Sequence, residues 1–534
     1  MKNRSSKPAR QAAALSPATI AISVKLQRAI AAHQQGDLQQ AGLLYLEILE
    51  VEPNNFDALH LLGVYALQSG DAQAACDLIG RAVEVDPNEA LAFSNLGVAR
   101  QRMRRFDDAL RAYQSALRIN PEHQAALSNC GSTLQEMQRH GEAIAFFERA
   151  LRVKPDYAEA LSNLGNSLIA LKRPEEALIV LDRALELNQA YVAALFNRAN
   201  ALQYLNRADE AILSYRRALL IDPGHVDANF NDGVCRLLNG DFENGFRQYE
   251  WRWRKEAYLP LKQEFGAHLW LGAPDPQGKT ILVYSEQGLG DTIQFCRYVK
   301  LLAGLGAKVI VRVQPALKPL LAGLPGAQQV LDTGEALPAF DFHCPLMSLP
   351  LAFQTRLDTV PAEPSYLSAD PARVAAWQAK LGPKTLPRIG LAWAGSAGHD
   401  NDAARSIPLL KLMQLVGENA QFISIQKELG ALDRLLLGRQ SALLHFAEAQ
   451  TDFAETAALI ANLDLVVTVD TSVAHLAAAM GKPVWILLPW APDWRWMLER
   501  ADSPWYPSAT LVRPPKAGDW DAVLARVAAQ IAQL

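Results

Sequence analysis

The chain has 534 residues, too many for one hydrophobic core, so several domains are expected. It is 50% apolar and 20% charged, as soluble globular proteins are, and its formal charge of −4 excludes the basic surplus of a nucleic-acid binder. Its cysteines (Cys76, Cys130, Cys235, Cys296 and Cys344) are scattered and never form a CxxC pair, which argues for a reducing compartment and against a structural zinc.

In chain order, residues 1–21 open basic and polar (MKNRSSKPAR), and this stretch is expected to be disordered. The short apolar run after it is broken by Ser16-Pro17, so no signal peptide is read, and no run is long enough to span a membrane; a cytoplasmic location is expected. A 34-residue period then takes over. Prolines recur at Pro53, Pro87, Pro121, Pro155 and Pro223, and glycines at Gly63, Gly97, Gly131, Gly165 and Gly233. Alanines run from Ala41 through Ala75, Ala109, Ala143 and Ala177 to Ala211, and aromatics share one phase at Tyr45, Tyr113, Phe147, Tyr215 and Tyr249. The pattern predicts units of two amphipathic helices, with small residues where helices cross and a proline after the second. It resembles the tetratricopeptide repeat and covers residues 22–259, about seven units.

A further column on that period is Asn95, Asn129, Asn163, Asn197 and Asn231. An asparagine amide offers donor and acceptor together, so a ladder along the inner wall could clamp an extended peptide. The same amides could instead tie helix to helix. The column resembles the asparagine ladder of O-linked N-acetylglucosamine transferases, which implies an acceptor protein or glycan as partner. The array ends in 249-YEWRWRKEAYLPLK-262, whose aromatics, continued by Trp270, are expected to dock it onto the next domain.

From residue 279 short β-rich runs alternate with helical stretches, which predicts parallel sheets with right-handed crossovers. The expected arrangement is an α-solenoid followed by two Rossmann-like domains, 260–365 and 366–534. In the first, a strand at 281–284 leads through a glycine turn into a helix beginning at Asp291, followed by strands at 308–313, 328–332 and 340–347. In the second, strands are expected at 388–395, 421–427, 443–447, 463–470 and 483–489, with helices near 407–417, 428–438, 452–462, 472–480 and 519–533. Ligands in such folds bind at the carboxyl ends of strands, so those loops are the candidate sites.

Three loops stand out. In 286-EQGLGD-291, Gly288 and Gly290 allow close backbone approach, and the spacing fits neither a dinucleotide fingerprint nor a Walker loop. Asp291 reads either as a functional carboxylate or as a plain helix cap. In 393-WAGSAGHDNDAARSIPL-409, Gly395 and Ser396 could cradle a phosphate, with His399 nearby and Arg405 bonding to it, or the loop is simply solvated and flexible with Arg405 exposed. In 468-TVDTSVAHLAAAMGKP-483, Asp470 ends a strand, Thr471 and Ser472 start a helix, and His475 lies in its first turn; these suit a phosphate and sugar hydroxyls, or simply cap and core.

GLGDTIQF, RSIPL and DTSVAHLAAAMGKPV together resemble the ADP-heptose:lipopolysaccharide heptosyltransferases, over roughly 279–534. The resemblance implies the GT-B fold, a nucleoside-diphosphate sugar as donor, no other cofactor and no metal. It places Asp291 as catalytic base and Arg405 facing the diphosphate. Gly288, Gly290, Gly395, Ser396, Gln426, Lys427, Asp470, Thr471, Ser472 and His475 fall at the nucleotide-sugar site. The tryptophan-rich 490-WAPDWRWML-498 and the long 396–404 loop depart from that family, and the whole layout looks more like bacterial tetratricopeptide-repeat glycosyltransferase-like proteins. The expected function is sugar transfer to an acceptor hydroxyl; the alternative is a scaffold with an inactive transferase-like half.

Overall fold

In the computed structural model, residues 17–534 are described except 266, 267, 397, 399, 400 and 440. Most of the expected disordered stretch 1–21, and His399, lie outside the described residues. No described helix is long and apolar enough to cross a membrane.

The repeat region runs as successive helix pairs, from Pro17–Gln34 with Leu38–Val51 to Val226–Leu238 with Phe242–Tyr249. Its glycines have a packing reason. A Cβ at Gly97 would lie within 2.7 Å of three Tyr113 ring atoms, and one at Gly131 would lie 2.6 Å from the Phe147 ring. Gly165 stands in the same way against Leu181. Each glycine therefore lets the next helix's large side chain seat against bare backbone, and Tyr113 and Phe147 are fully buried as a result. Side chains of Asp37, Asn55 and Asp71 accept backbone N–H groups at helix starts.

The turn inside each pair holds one residue in the left-handed region. These are Gly36, Gly70, Arg104, Gln138, Lys172, Asn206 and Gly240, again on the 34-residue period. The chain falls into two compact units, 1–201 and 202–534, the boundary lying inside the Val192–Tyr204 helix.

The second unit holds the last repeat helices and two parallel sheets. The first sheet contains β1 (Thr280–Tyr284), β2 (Lys308–Val313), β3 (Ala327–Asp332) and β4 (Phe342–Pro345), in the order β3-β2-β1-β4. The second contains β5 (Arg388–Ala392), β6 (Gln421–Ser424), β7 (Leu443–His445), β8 (Leu465–Val469), β9 (Val484–Leu487) and β10 (Ala509–Val512), in the order β10-β9-β8-β5-β6-β7. Both orders reverse beside the first strand of their sheet, between β1 and β4 and between β5 and β8. That is where a doubly wound sheet opens a crevice at its carboxyl end.

Some expected elements differ. The helix starting near Asp291 begins at Leu289 and divides at Cys296 into Leu289–Phe295 and Arg297–Gly304. The helix expected near 407–417 is only Leu409–Leu412 plus a 3₁₀ turn, Met413–Leu415, enclosed by Pro408 and Gly417. Strand β10 was not expected.

Candidate functional site

Asp291 is not the cap of its helix. Gly288 is the cap, and Asp291 sits three residues on, its Oδ2 accepting the Gly288 N–H at 2.7 Å. Its Oδ1 accepts from Nη2 of Arg495, a residue of the second lobe. The lobes touch directly beside it: a Cβ on Gly290 would lie 2.7 Å from Cδ2 of His475 and 3.5 Å from Cα of Ser472. Only glycine fits there, and the close approach it permits is to the second lobe itself.

The Ser472–Ala479 helix follows β8, and Thr471 caps it by accepting the Val473 N–H. His475 is buried, with Nδ1 2.9 Å from the Tyr506 hydroxyl and Trp496 stacked on its ring at 5.2 Å. Burial, and then the charges of Arg495, Arg297 and Arg405, hold its pKa well below the usual imidazole value, so it is neutral. The Asp470 carboxyl is pushed up to about 6 by burial and by Asp493, against the pull of Arg405 and Arg495.

Arg405 lies across Gly395, where any Cβ would strike its guanidinium, and its Nη1 donates to the Asp470 carbonyl at 3.1 Å. The loops after β5 and β8 are therefore tied together at the crevice of the second sheet. Ser406 braces them, its hydroxyl accepting the Gly395 N–H at 3.2 Å and donating to Asp402 at 2.9 Å. Ser396 is exposed beside them.

Gln426 and Lys427 have other occupations. Buried Gln426 accepts the N–H groups of Trp393 and Ala394 at 3.1 and 3.0 Å and donates to the Ala394 and Glu428 carbonyls, so it shapes the loop after β5. Lys427 is exposed and donates to the Thr451 carbonyl at 3.1 Å. In the array, Asn197 is buried and donates to the Ser162 carbonyl and hydroxyl at 3.3 Å, and Asn163 donates to Ser132 at 3.2 Å. Nδ2 of Asn95 lies 2.9 Å from Nε2 of His60. Asn95, Asn163 and Asn197 therefore bind across helices, as in the second of the two readings open at the sequence level. Asn129 and Asn231 are half-buried.

Two features where the last repeat meets the first lobe escaped sequence reasoning. Arg252 is fully buried, 3.1 Å from Oε1 of Glu286 and 2.7 Å from the Ser348 hydroxyl. Glu286, its side chain wholly buried, accepts the Met347 N–H at 3.1 Å, and burial pushes it up to about 7 against the pull of Arg252. The aromatics after residue 249 do dock onto neighbouring elements: Tyr249 shares hydrogen bonds with the Gln287 side chain, and Trp253 packs beside Tyr284.

Comparison with known proteins agrees with this division. Residues 44–77, 88–156, 122–190 and 192–225 match tetratricopeptide-repeat models. Residues 428–489 match glycosyltransferase family 9 (heptosyltransferase). The chain is 27% identical over 320 residues to Protein FlbA of Caulobacter vibrioides (strain ATCC 19089 / CIP 103742 / CB 15), covering 55% of this chain and 52% of FlbA, about half the length of that relative. Among solved structures, the MamA protein is 24% identical, covering 32% of this chain and 92% of its own at a TM-score of 0.29. PilF of Pseudomonas aeruginosa is 22% identical, covering 39% of this chain and 97% of its own at 0.35. The chain thus carries tetratricopeptide repeats followed by parallel α/β sheets, with a heptosyltransferase-family stretch in the second lobe.

Proposed function

We propose that the protein is a glycosyltransferase of the GT-B type, moving a sugar from a nucleoside-diphosphate donor to an acceptor hydroxyl. One observation carries the reading: Gly290, next to Asp291 on the first lobe, meets the second lobe at Ser472 and His475, and Arg405 is tied to the Asp470 carbonyl just before that helix. Asp291 takes the acceptor's proton, and the freed oxygen bonds to the anomeric carbon. The bond from that carbon to the diphosphate oxygen breaks, and the nucleoside diphosphate leaves; one displacement inverts the centre. Arg405 and the N–H groups at the start of the Ser472–Ala479 helix offset the charge growing on the leaving group, without calling on a metal. The repeats present the protein or glycan acceptor.

The test is release of nucleotide from a panel of UDP-, ADP- and GDP-sugars. Asp291→Asn is expected to lower release on the order of a hundredfold or more while nucleotide affinity stays within about threefold. Wild-type-like release would remove Asp291 as base.

A second reading is a binding protein whose α/β half does no chemistry. The close fit of Gly290 on His475 favours it, because the lobes meet where a donor sugar would lie. Nucleotide binding without release on any donor or acceptor would decide for it.

A further inference from the structure

We infer that Arg495 is a positioning residue for the proposed base: the second lobe fixes the orientation of the first lobe's Asp291. The inference rests on the transferase reading above. The Arg495 guanidinium is held along nearly every N–H direction. Nε donates to Oε1 of Gln294 at 2.8 Å and Nη1 to Oδ1 of Asp493 at 2.7 Å. Nη2 donates to Asp291 and faces the Met347 sulfur at 3.6 Å. Its planar group lies 4.4 Å from the Trp494 ring, and its side chain is 7% exposed.

Such a group cannot swing out to a ligand without abandoning several partners, so its donors are committed to the protein. Arg405 is placed differently. Its side chain contacts Asp402 at 3.4 Å and the Asp470 carbonyl, beside the loop suited to phosphate. The division of labour is therefore Arg405 for the diphosphate and Arg495 for the base.

Asp291 is in turn held at both oxygens, Oδ2 by its own loop and Oδ1 across the lobes. A carboxylate held at both oxygens is fixed in plane and orientation, as proton transfer from a bound hydroxyl requires. The pair has a poor rationale as a stability device, since burying an arginine is costly and an apolar residue of similar size would serve as well. Other charged or titratable groups near the pair include Asp493, Tyr249 and Tyr258, with Asp470 and His475 beyond Arg495.

The experiment compares wild type, Arg495→Met and Arg495→Lys by nucleotide release against pH, donor KM, and hydrogen exchange of the 286–296 segment. Arg495→Met should lower kcat on the order of a hundredfold, the loss expected of a misplaced catalytic group, with donor KM within about threefold. The acid limb of its rate–pH profile should move to higher pH, because a carboxylate without its cationic neighbour holds its proton longer. Arg495→Lys should restore part of the rate and of the limb. Unchanged kcat and limb, or a loss of donor affinity parallel to the loss of rate, would overturn the assignment. Exchange at 286–296 should quicken in Arg495→Met and recover in Arg495→Lys whether or not the chain turns over. If wild type releases nothing yet exchange responds so, the transferase reading fails and the Arg495–Asp291 hold stands; unresponsive exchange sinks the hold itself. Should Arg495→Met not fold, Asp493→Asn provides the same readouts, with faster exchange and a lower kcat expected and no change overturning.

Discussion

Asp470 is a carboxylate whose surroundings favour the proton. Burial and the neighbouring Asp493 carry it up to about 6, within reach of ordinary buffers. Charged, it would repel a diphosphate held by Arg405; protonated, it would not. A nucleoside diphosphate is therefore expected to bind more tightly as pH falls from 7.5 to 5.5, by about tenfold more than in Asp470→Asn. Calorimetry on both proteins checks this, and the variant controls for protonation of the nucleotide itself. Stability has the same sign. The folded chain keeps a proton that the unfolded chain releases near its ordinary value, so Asp470 removes stability as pH rises from about 4 to 6. Asp470, Thr471, Ser472 and Arg405 were legible because their types and the strand ends before them are local features. Arg495 was not. Its stretch stood out for its tryptophans and not for its arginine, and its partner Asp291 lies 204 positions away, a pairing that no local pattern encodes.

Among elements, the repeat turns carry a cost that the sequence hid. Seven turns share one left-handed position, yet only Gly36, Gly70, Gly240 and, less fully, Asn206 have a residue that suits it. Arg104, Gln138, Lys172 and Asn206 adopt φ near 60° with a side chain in place. Gln138→Gly is expected to stabilise the first unit by about 0.5–1 kcal/mol, the backbone strain relieved less the extra freedom gained by the unfolded chain. Urea unfolding followed by circular dichroism at 222 nm checks it. The 34-residue period was plain because proline, glycine and alanine marked it. The turn position was obscured because its occupants vary. Strand β10 was missed for a similar reason, its four residues lying between the proline-rich SPWYPS and RPP segments with no alternation to mark them.

At the scale of the α/β half, the two sheets are joined by more than a linker. Arg297, on the first lobe, is buried and donates to the Trp505 carbonyl at 2.6 Å, the Pro361 carbonyl at 3.2 Å and the Tyr366 hydroxyl at 2.9 Å. Its guanidinium also lies 4.6 Å from the Tyr506 ring, whose hydroxyl meets His475. Arg297→Met would leave these acceptors unsatisfied and is expected to destabilise the second unit by at least about 2 kcal/mol. The measurement is a lower urea midpoint for tryptophan fluorescence, a probe suited to this unit, where Trp494, Trp496 and Trp505 are buried.

On the transferase reading, the same arginine bears on how nucleotide would enter and leave. Two of its acceptors, Trp505 and Tyr366, lie on the second lobe, so the halves cannot part as rigid jaws without breaking those bonds. Exchange would then proceed at the rim, by side chains such as Arg405 turning aside. Saturating nucleotide should accordingly leave the radius of gyration of the α/β half nearly constant, with the turnover bottleneck residing in a few rotamers rather than in a swinging domain.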